Sequence, residues 1–271
     1  MTRGFLEKQG IAANFHWLGA TPLLEGLRGG TVDVVQSAIS NYWALADRGE
    51  TDIPVHIAEI NRRDGFFLVR RGPGPAFDWK QLEGKTIVAE LGGQPAHMLR
   101  YALGLNKVES ARLVDGGTGA ALRAAFKSGT GDFAHFQGAT AQQVEQDGEG
   151  AIIASVGTAM PEVAFSSVCC LPQFVQTPAY RPFLAAFAQA KAWAHSAPAS
   201  EVAAHVAPQF SDESLPAMTK AIEAYQRLGC WSGGLEISRA HYDQAWKVFQ
   251  AAGAVKGNYA FEQVCVAPPR I

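Results

Sequence analysis

LEGKTIVAELGGQPAHMLRYAL, residues 82–103, predicts a strand, a glycine turn and a helix in immediate succession. Residues 85–89 are apolar and β-branched after their lysine, which is typical of a buried strand. Gly92 and Gly93 make the turn, and Pro95 suits the first position of the helix that follows. Because a helix start leaves backbone N–H groups unpaired and carries partial positive charge, an anionic or polar group can bind there. For this turn alone, an ordinary strand-to-helix connection is the alternative interpretation.

The composition is that of a well-folded globular chain and excludes several functions. Hydrophobic residues make up 48% of the 271 residues and charged residues 18%, so the chain can bury one large core or two smaller ones. Lys plus Arg number 23 against 25 Asp plus Glu, and no basic run occurs, so a nucleic-acid partner is not expected. No segment has the length of a transmembrane helix, so the chain is not expected to span a membrane.

Helices and strands alternate along the first two thirds of the chain, which predicts an α/β fold with largely parallel sheets. We expect a helix over 2–9 that ends at Gly10, a strand over 11–18, and a helix over 21–28 that Thr21 caps. From about residue 178 onward the pattern is nearly all helical.

Two segments of the chain echo each other. LRGGTVDV at 27–34 and FKSGTGDF at 126–133 each end a helix at glycine and then open a strand at an aspartate. The repeat predicts two lobes of related build. A cleft between two such lobes is the expected place for a ligand.

Four stretches carry a family likeness: GFLEKQGI at 4–11, LRGGTVDV at 27–34, FDWKQLEGKTI at 77–87, and the Gly92-Gly93 turn. With them, the chain resembles the substrate-binding proteins of ABC importers in the type II periplasmic-binding-protein fold. The nearest branch handles alkanesulfonates, taurine, nitrate and thiamine-pyrimidine-like compounds. The likeness covers almost the whole chain, including its helical C-terminal third.

The resemblance implies a first part of lobe 1 over 1–70, a lobe 2 over 71–177, and a helical part over 178–271 that packs back on lobe 1. It implies a small anionic or polar organic ligand, sulfonate-, carboxylate- or pyrimidine-like, held by closure of the lobes about a hinge. It also implies an ABC permease as partner, and no cofactor.

Members of this family begin with a signal peptide and a first, central strand, and the sequence shows neither ahead of Gly10. A truncated start, another segment in the strand's place, and a cytoplasmic relative are the three interpretations. The expected location is extracytoplasmic if the true N-terminus carries a signal peptide, and cytoplasmic for the sequence as it stands. An unfilled slot would expose strand edges, so a homodimer is among the expected assemblies.

Mapped onto this fold, polar side chains of lobe 1 face the ligand. Ser37, Ser40 and Asn41 follow a predicted strand and can donate and accept hydrogen bonds without adding charge. Helix capping is their alternative role. Arg62 lies where the chain crosses between lobes, and its guanidinium can clamp an oxyanion. An Arg–Asp pair that steadies the hinge is the alternative there.

Lobe 2 contributes two helix starts and the end of a strand to the same predicted site. The helix starts and the strand end supply Gly92, Gly93, Gln94, Gly117, Thr118, His135 and Phe136. His135 is predicted either as a ligand contact or as a packed structural histidine. Phe136 is predicted to form an aromatic wall of the site.

No catalytic residue or metal site is predicted, because no nucleophile elbow, zinc-protease motif, P-loop, Cys-x-x-Cys or full dinucleotide motif occurs. An enzyme of the same fold, acting on a small aromatic or heterocyclic substrate, is the alternative function, and a partner-binding regulatory domain is a third. Cys169 and Cys170 lie in an apolar run and are expected to be buried free thiols. Cys230 and Cys265 could pair in an exported protein.

Overall fold

The computed structural model describes residues 3–18, 22–210 and 212–270. The strands of these ranges are β1 (Val34–Ser37), β2 (Val55–Asn61), β3 (Phe66–Arg70), β4 (Thr86–Ala89), β5 (Arg112–Asp115), β6 (Phe133–Gln137), β7 (Ala151–Ser155) and β8 (Ser166–Cys170). The α-helices are α1 (Leu23–Arg28), α2 (Ile39–Asp47), α3 (Gln94–Leu105), α4 (Gly119–Lys127), α5 (Gly138–Gln146), α6 (Tyr180–Ser196), α7 (Ala199–Val206), α8 (Leu215–Leu228), α9 (Arg239–Ala251) and α10 (Phe261–Val264).

The N-terminal elements differ from the prediction. The expected strand over 11–18 has no regular secondary structure, because its backbone finds no partner strand among the described residues. The expected helix over 2–9 is a single 3₁₀ turn, Glu7–Gln9, ended by Gly10 in the left-handed region (φ 73°). Met1 and Thr2, and the predicted cap Thr21, lie outside the described residues.

The chain divides into two compact units. Unit 1 comprises Met1–Arg62, Val163–Ser196 and Trp231–Ile271, and unit 2 comprises Arg63–Glu162 and Ala197–Cys230. This division differs from the predicted boundaries at 70 and 177, and the helical C-terminal part is shared between the units. Helices α7 and α8 belong to unit 2, where α8 packs on α5, whereas α6 and α9 belong to unit 1. Helical periodicity reveals an apolar face but not the element against which it packs.

Unit 1 contains a three-stranded sheet in the order β1-β8-β2, with β8 antiparallel to both neighbours. Ile57, Val168 and Leu184 are buried in the core that α6 and this sheet share. The outer edge of β2 is covered in part by the C-terminal segment, through a bridge between His56 and Cys265.

Unit 2 contains a five-stranded sheet in the order β5-β4-β6-β3-β7. Strands β5, β4 and β6 are parallel, whereas β3 is antiparallel to β6 and β7. Phe67, Val88, Phe126 and Phe136 form the core between one face of the sheet and helices α4, α5 and α8. Burying each such side chain contributes about 1.5–3 kcal/mol to stability.

The expectation of largely parallel sheets is therefore correct only for β4, β5 and β6. Parallel pairing needs a crossover connection, usually a helix, and helices α3 and α4 supply it between these three strands. No α-helix precedes β3 or β8 directly in the chain, and both pair antiparallel.

All four cysteines are buried free thiols, so Cys230 and Cys265 do not pair and the prediction for Cys169 and Cys170 is confirmed. Burial raises the pKa of each thiol to about 12. Across the described ranges, no helix is both long and apolar enough to cross a bilayer.

Candidate functional site

One edge of the unit 2 sheet gathers the starts of three helices. Strands β4, β5 and β6 run in the same direction, so their carboxyl ends meet at this edge, and α3, α4 and α5 begin there. The residues that precede these helices are Gly93, Thr118 and Gln137, and none of the three side chains caps its helix by a hydrogen bond. We call this region, from the ends of β4, β5 and β6 to the first turns of the three helices, the strand-end edge.

The chain order places the strand-end edge at a change of winding direction. The chain runs from β4 to β5 on one side and then returns to β6 on the other side of β4. In open α/β sheets, ligands bind at the carboxyl ends of the strands, at such a switch point. The geometry is therefore suited to holding a small molecule.

The glycine turn after β4 leaves space at this edge. Gly93 has a backbone conformation that disfavours a side chain (φ 86°, ψ −166°), and a Cβ added at Gly92 or Gly93 would meet no atom within 4 Å. Gln94 begins α3, two residues before the predicted helix start, and its side chain is buried at 7% exposure.

The turn after β5 is built differently. Gly117 lies in the left-handed region (φ 76°), and its N–H donates to Oδ1 of Asp115 at 3.1 Å. Thr118 is exposed and precedes α4. The structure thus brings Gly92, Gly93, Gln94, Gly117 and Thr118 of the predicted site to one edge of unit 2.

Phe136 does not form the predicted aromatic wall. Its ring is 1% exposed and packs edge-on against Phe126, with 5.6 Å between ring centroids, in the core of unit 2. Side chains of a strand alternate between its two faces, and Phe136 points to the face that α4 covers. Its neighbour His135 therefore points to the opposite face.

His135 is fully buried and stacks on Phe66, with 4.8 Å between ring centroids and 29° between ring planes. Neither ring nitrogen has a hydrogen-bond partner in the described part of the chain. Burial lowers the pKa of His135 to about 3, so the imidazole is neutral at pH 7. Both functional and structural roles thus remain consistent with its position.

In unit 1, Ser37 and Asn41 are brought together at the end of β1. Asn41 Nδ2 donates to Ser37 Oγ at 2.8 Å, and the Ser37 hydroxyl contacts the Ala38 carbonyl at 3.3 Å. Ser40 is partly buried in the first turn of α2. The predicted alternative of helix capping does not hold, since Ala38 is the cap residue and no side chain caps the helix.

Arg62 makes an ion pair, and its partner is a glutamate, not the aspartate that the hinge alternative names. Its Nη2 lies 2.9 Å from Oε2 of Glu59, whose side chain is fully buried. Arg63 pairs separately with Glu162 at 3.3 Å. The predicted Arg–Asp pair is therefore absent, because Asp64 turns back to accept a hydrogen bond from the N–H of Phe66 at 2.6 Å.

Sequence reasoning missed a buried polar network around Glu59. His241 Nδ1 lies 2.7 Å from Glu59 Oε1, and Lys191 Nζ donates to the carbonyls of Glu59 and Gly234 at 2.9 and 2.8 Å. Burial lowers the pKa of Lys191 to about 8. These residues come from three distant parts of the chain, so no local pattern could have joined them.

Sequence reasoning also missed two carboxylates at the strand-end edge. Glu90 directly follows β4, and Asp115 is the last residue of β5. Burial and the charge of Asp115 raise the pKa of Glu90. A signal was available, since each acid follows an apolar stretch predicted as a strand. In the described ranges, no group of three or more His, Cys, Asp or Glu is placed to hold a metal ion.

Comparison with known proteins identifies the architecture. No family model matches the chain. Over 272 residues it is 24% identical to YtlA of Bacillus subtilis (strain 168), described as a proposed binding protein, and the match covers 97% of this chain and 81% of YtlA. The alkanesulfonate-binding protein SsuA of Xanthomonas axonopodis pv. citri, solved bound to MOPS, superposes with a TM-score of 0.72 at 13% identity, covering 98% of this chain and 92% of SsuA. The chain has the periplasmic-binding-protein fold.

A second solved structure agrees with this assignment. The periplasmic aliphatic sulphonate binding protein SsuA of Escherichia coli superposes with a TM-score of 0.72 at 17% identity, covering 92% of this chain and 80% of SsuA. The predicted resemblance and the predicted α/β fold class are thereby confirmed at the level of the fold, which includes the helical C-terminal part. In a protein of this fold, the strand-end edge of unit 2 is a candidate ligand site.

Proposed function

We propose that this chain is a solute-binding protein that captures a small anionic or polar organic molecule for ABC-type import. The candidate ligands are sulfonate-, carboxylate- and pyrimidine-like compounds. One observation carries the proposal: three helices begin at the strand-end edge without a side-chain cap, beside the open turn at Gly92 and Gly93. Backbone N–H groups at helix starts bind acceptor oxygens or nitrogens of a ligand.

Residues of both units belong to the proposed ligand set. Unit 2 supplies the backbone of Gly92, Gly93, Gln94 and Gly117, the hydroxyl of Thr118, and His135. Unit 1 supplies the side chains of Ser37, Ser40, Asn41 and Arg62. Phe136 is removed from the set, because its ring is buried in the core.

The proposed partner is an ABC permease, and the proposed location is outside the cytoplasm. The fold, and the names of the two SsuA proteins, support both parts of this proposal. Genes for a permease and an ATPase beside the gene of this chain would support the partner independently.

Native mass spectrometry and calorimetry of the purified protein test the function together. We expect a co-purified small molecule in the native spectrum, or heat of binding for a member of a panel of sulfonates, carboxylates and pyrimidines. The bound compound should be recovered chemically unchanged after long incubation. Recovery of a converted product would contradict the proposal and favour an enzyme, and neither binding nor a co-purified molecule would also contradict it.

A further inference from the structure

Glu90 is a carboxylate without a partner at the centre of the strand-end edge. It follows β4, the strand between β5 and β6, and no hydrogen bond or ion pair reaches it from the residues that the structure describes. Its side chain is partly buried, and it lies beside the open space at Gly92 and Gly93. A partly buried charge normally finds a partner, because losing water without one is costly.

Asp115 adds a second negative charge next to Glu90. In the register of the parallel strands, Asp115 lies opposite Ala89, one residue before Glu90. Only one oxygen of Asp115 is engaged, by the N–H of Gly117 at 3.1 Å. The proximity of the two acids makes this part of the edge repel a bare anion and attract N–H donors and cations.

His135 provides an independent indication of a ligand. Its imidazole is fully buried, yet both ring nitrogens lack a partner among the described residues. The ring stacks on Phe66, which is paired with Gln137, the last residue of β6. The imidazole therefore leans from the body of the sheet toward the strand-end edge, where a bound molecule could complete its hydrogen bonds.

From these three residues we infer that the strand-end edge selects a nitrogenous organic ligand, one whose N–H groups or cationic nitrogen bind Glu90 and Asp115 while a ring or carbonyl group contacts His135. The inference rests on the proposed function and narrows its ligand class. Amines, amidines and amino-substituted N-heterocycles have this chemistry. A ligand that also carries an acceptor group can use the helix starts at the same edge. A simple alkyl sulfonate or carboxylate offers nothing to Glu90.

Calorimetry with two matched pairs of probes tests the inference. The pairs are pyrimidine with 4-aminopyrimidine, and ethanesulfonate with 2-aminoethanesulfonate, so that the members of each pair differ in one amino group. We expect the amino member of at least one pair to bind at least tenfold more tightly than its partner. Equal or tighter binding by the members without the amino group would overturn the inference.

Variants tie the preference to the named residues. Glu90→Gln keeps the size of the side chain and removes its charge, and we expect it to weaken binding of the preferred amino probe at least tenfold. Glu109→Gln, at an exposed position of the same unit, is the matched control and should leave binding unchanged. Equal affinity of the Glu90→Gln and wild-type proteins for that probe would overturn the assignment.

Native mass spectrometry separates failure of this inference from failure of the proposed function. If no probe binds, a co-purified molecule that carries an N–H group, and that the Glu90→Gln protein loses, would support the inference. A co-purified molecule without any N–H group would overturn the inference and leave the solute-binding function intact. If no probe binds and nothing co-purifies, both fail.

Discussion

Arg62 and Glu59 form an ion pair at 2.9 Å in which the glutamate is fully buried and the arginine side chain is only 17% exposed. His241 occupies the other carboxylate oxygen of Glu59 at 2.7 Å. The pair lies at the end of β2, where the first segment of unit 1 ends. An arginine that looks available in the sequence is thus already engaged with a residue three positions away.

Removing one partner of this pair should be more costly than removing both. We expect Arg62→Met to lower the free energy of unfolding by about 3 kcal/mol, because it leaves Glu59 with less compensation for burial. The double variant Arg62→Met/Glu59→Gln should lose less than the sum of the two single variants. Urea unfolding of the four proteins measures the coupling, and strict additivity would contradict an energetic link between the two residues.

Asp64 should make the protein less stable as the pH rises. Burial raises the pKa of Asp64 from 3.8 to about 8, so the folded state holds the proton more tightly than the unfolded state does. Its contribution to stability is complete below about pH 4 and is lost as the pH rises toward about 8, by at most about 1.4 kcal/mol for each pH unit.

Asp64→Asn should remove this dependence, since the amide does not ionise. Urea unfolding at pH 5 and pH 8 is the measurement, and the wild-type protein should lose more stability between the two pH values than the variant. Asp243→Asn, at an exposed position on α9, is the control and should behave like the wild type. Identical pH profiles for the wild type and Asp64→Asn would contradict the prediction.

Two glycines should respond to alanine with opposite signs. A Cβ at Gly157 would lie 2.3 Å from the backbone oxygen of Asp64, so Gly157→Ala should lower the free energy of unfolding by about 3 kcal/mol. A Cβ at Gly104, within α3, would meet nothing within 4 Å, so Gly104→Ala should raise it by about 1 kcal/mol. Thermal unfolding of both variants checks the signs, and a stabilised Gly157→Ala protein would refute the close approach to Asp64.

Phe136 should affect stability and not ligand affinity. We expect Phe136→Ala to lower the free energy of unfolding by about 3–5 kcal/mol, because it leaves a cavity beside Phe126. The milder Phe136→Leu keeps enough packing for a binding experiment. Calorimetry on the Phe136→Leu protein should return the wild-type affinity, and a large loss of affinity with an unchanged melting temperature would restore the predicted aromatic wall.

Local elements were predictable where the signal is local. The strand and glycine turn of residues 82–103 appear as predicted, with α3 beginning at Gln94, because β-branched runs and helix starts depend on neighbouring residues. The strand expected over 11–18 failed for the converse reason. Alternating polarity suits a strand, but a strand also needs a partner, and the structure describes none for this segment.

The site was predictable only in part. Gly93 and Thr118 lie at the starts of α3 and α4 as expected, since glycine turns and cap positions can be recognised in the sequence. Phe136 was misassigned, because the sequence shows that strand residues alternate but not which face of the sheet the helices cover. Glu90 and Asp115 were overlooked although each ends a predicted strand.

The sequence by itself determined the α/β class, the glycine turns, the helical C-terminal part and the family likeness that the fold confirms. These follow from periodicity, turn chemistry and motif spacing, which act over a few residues. Only the tertiary structure decided that α8 packs on α5, that β3 and β8 pair antiparallel, and that Glu59 meets Arg62, His241 and the Lys191 ammonium. Those arrangements depend on which apolar faces and charges meet after the chain has folded, and such meetings join residues that no local pattern connects.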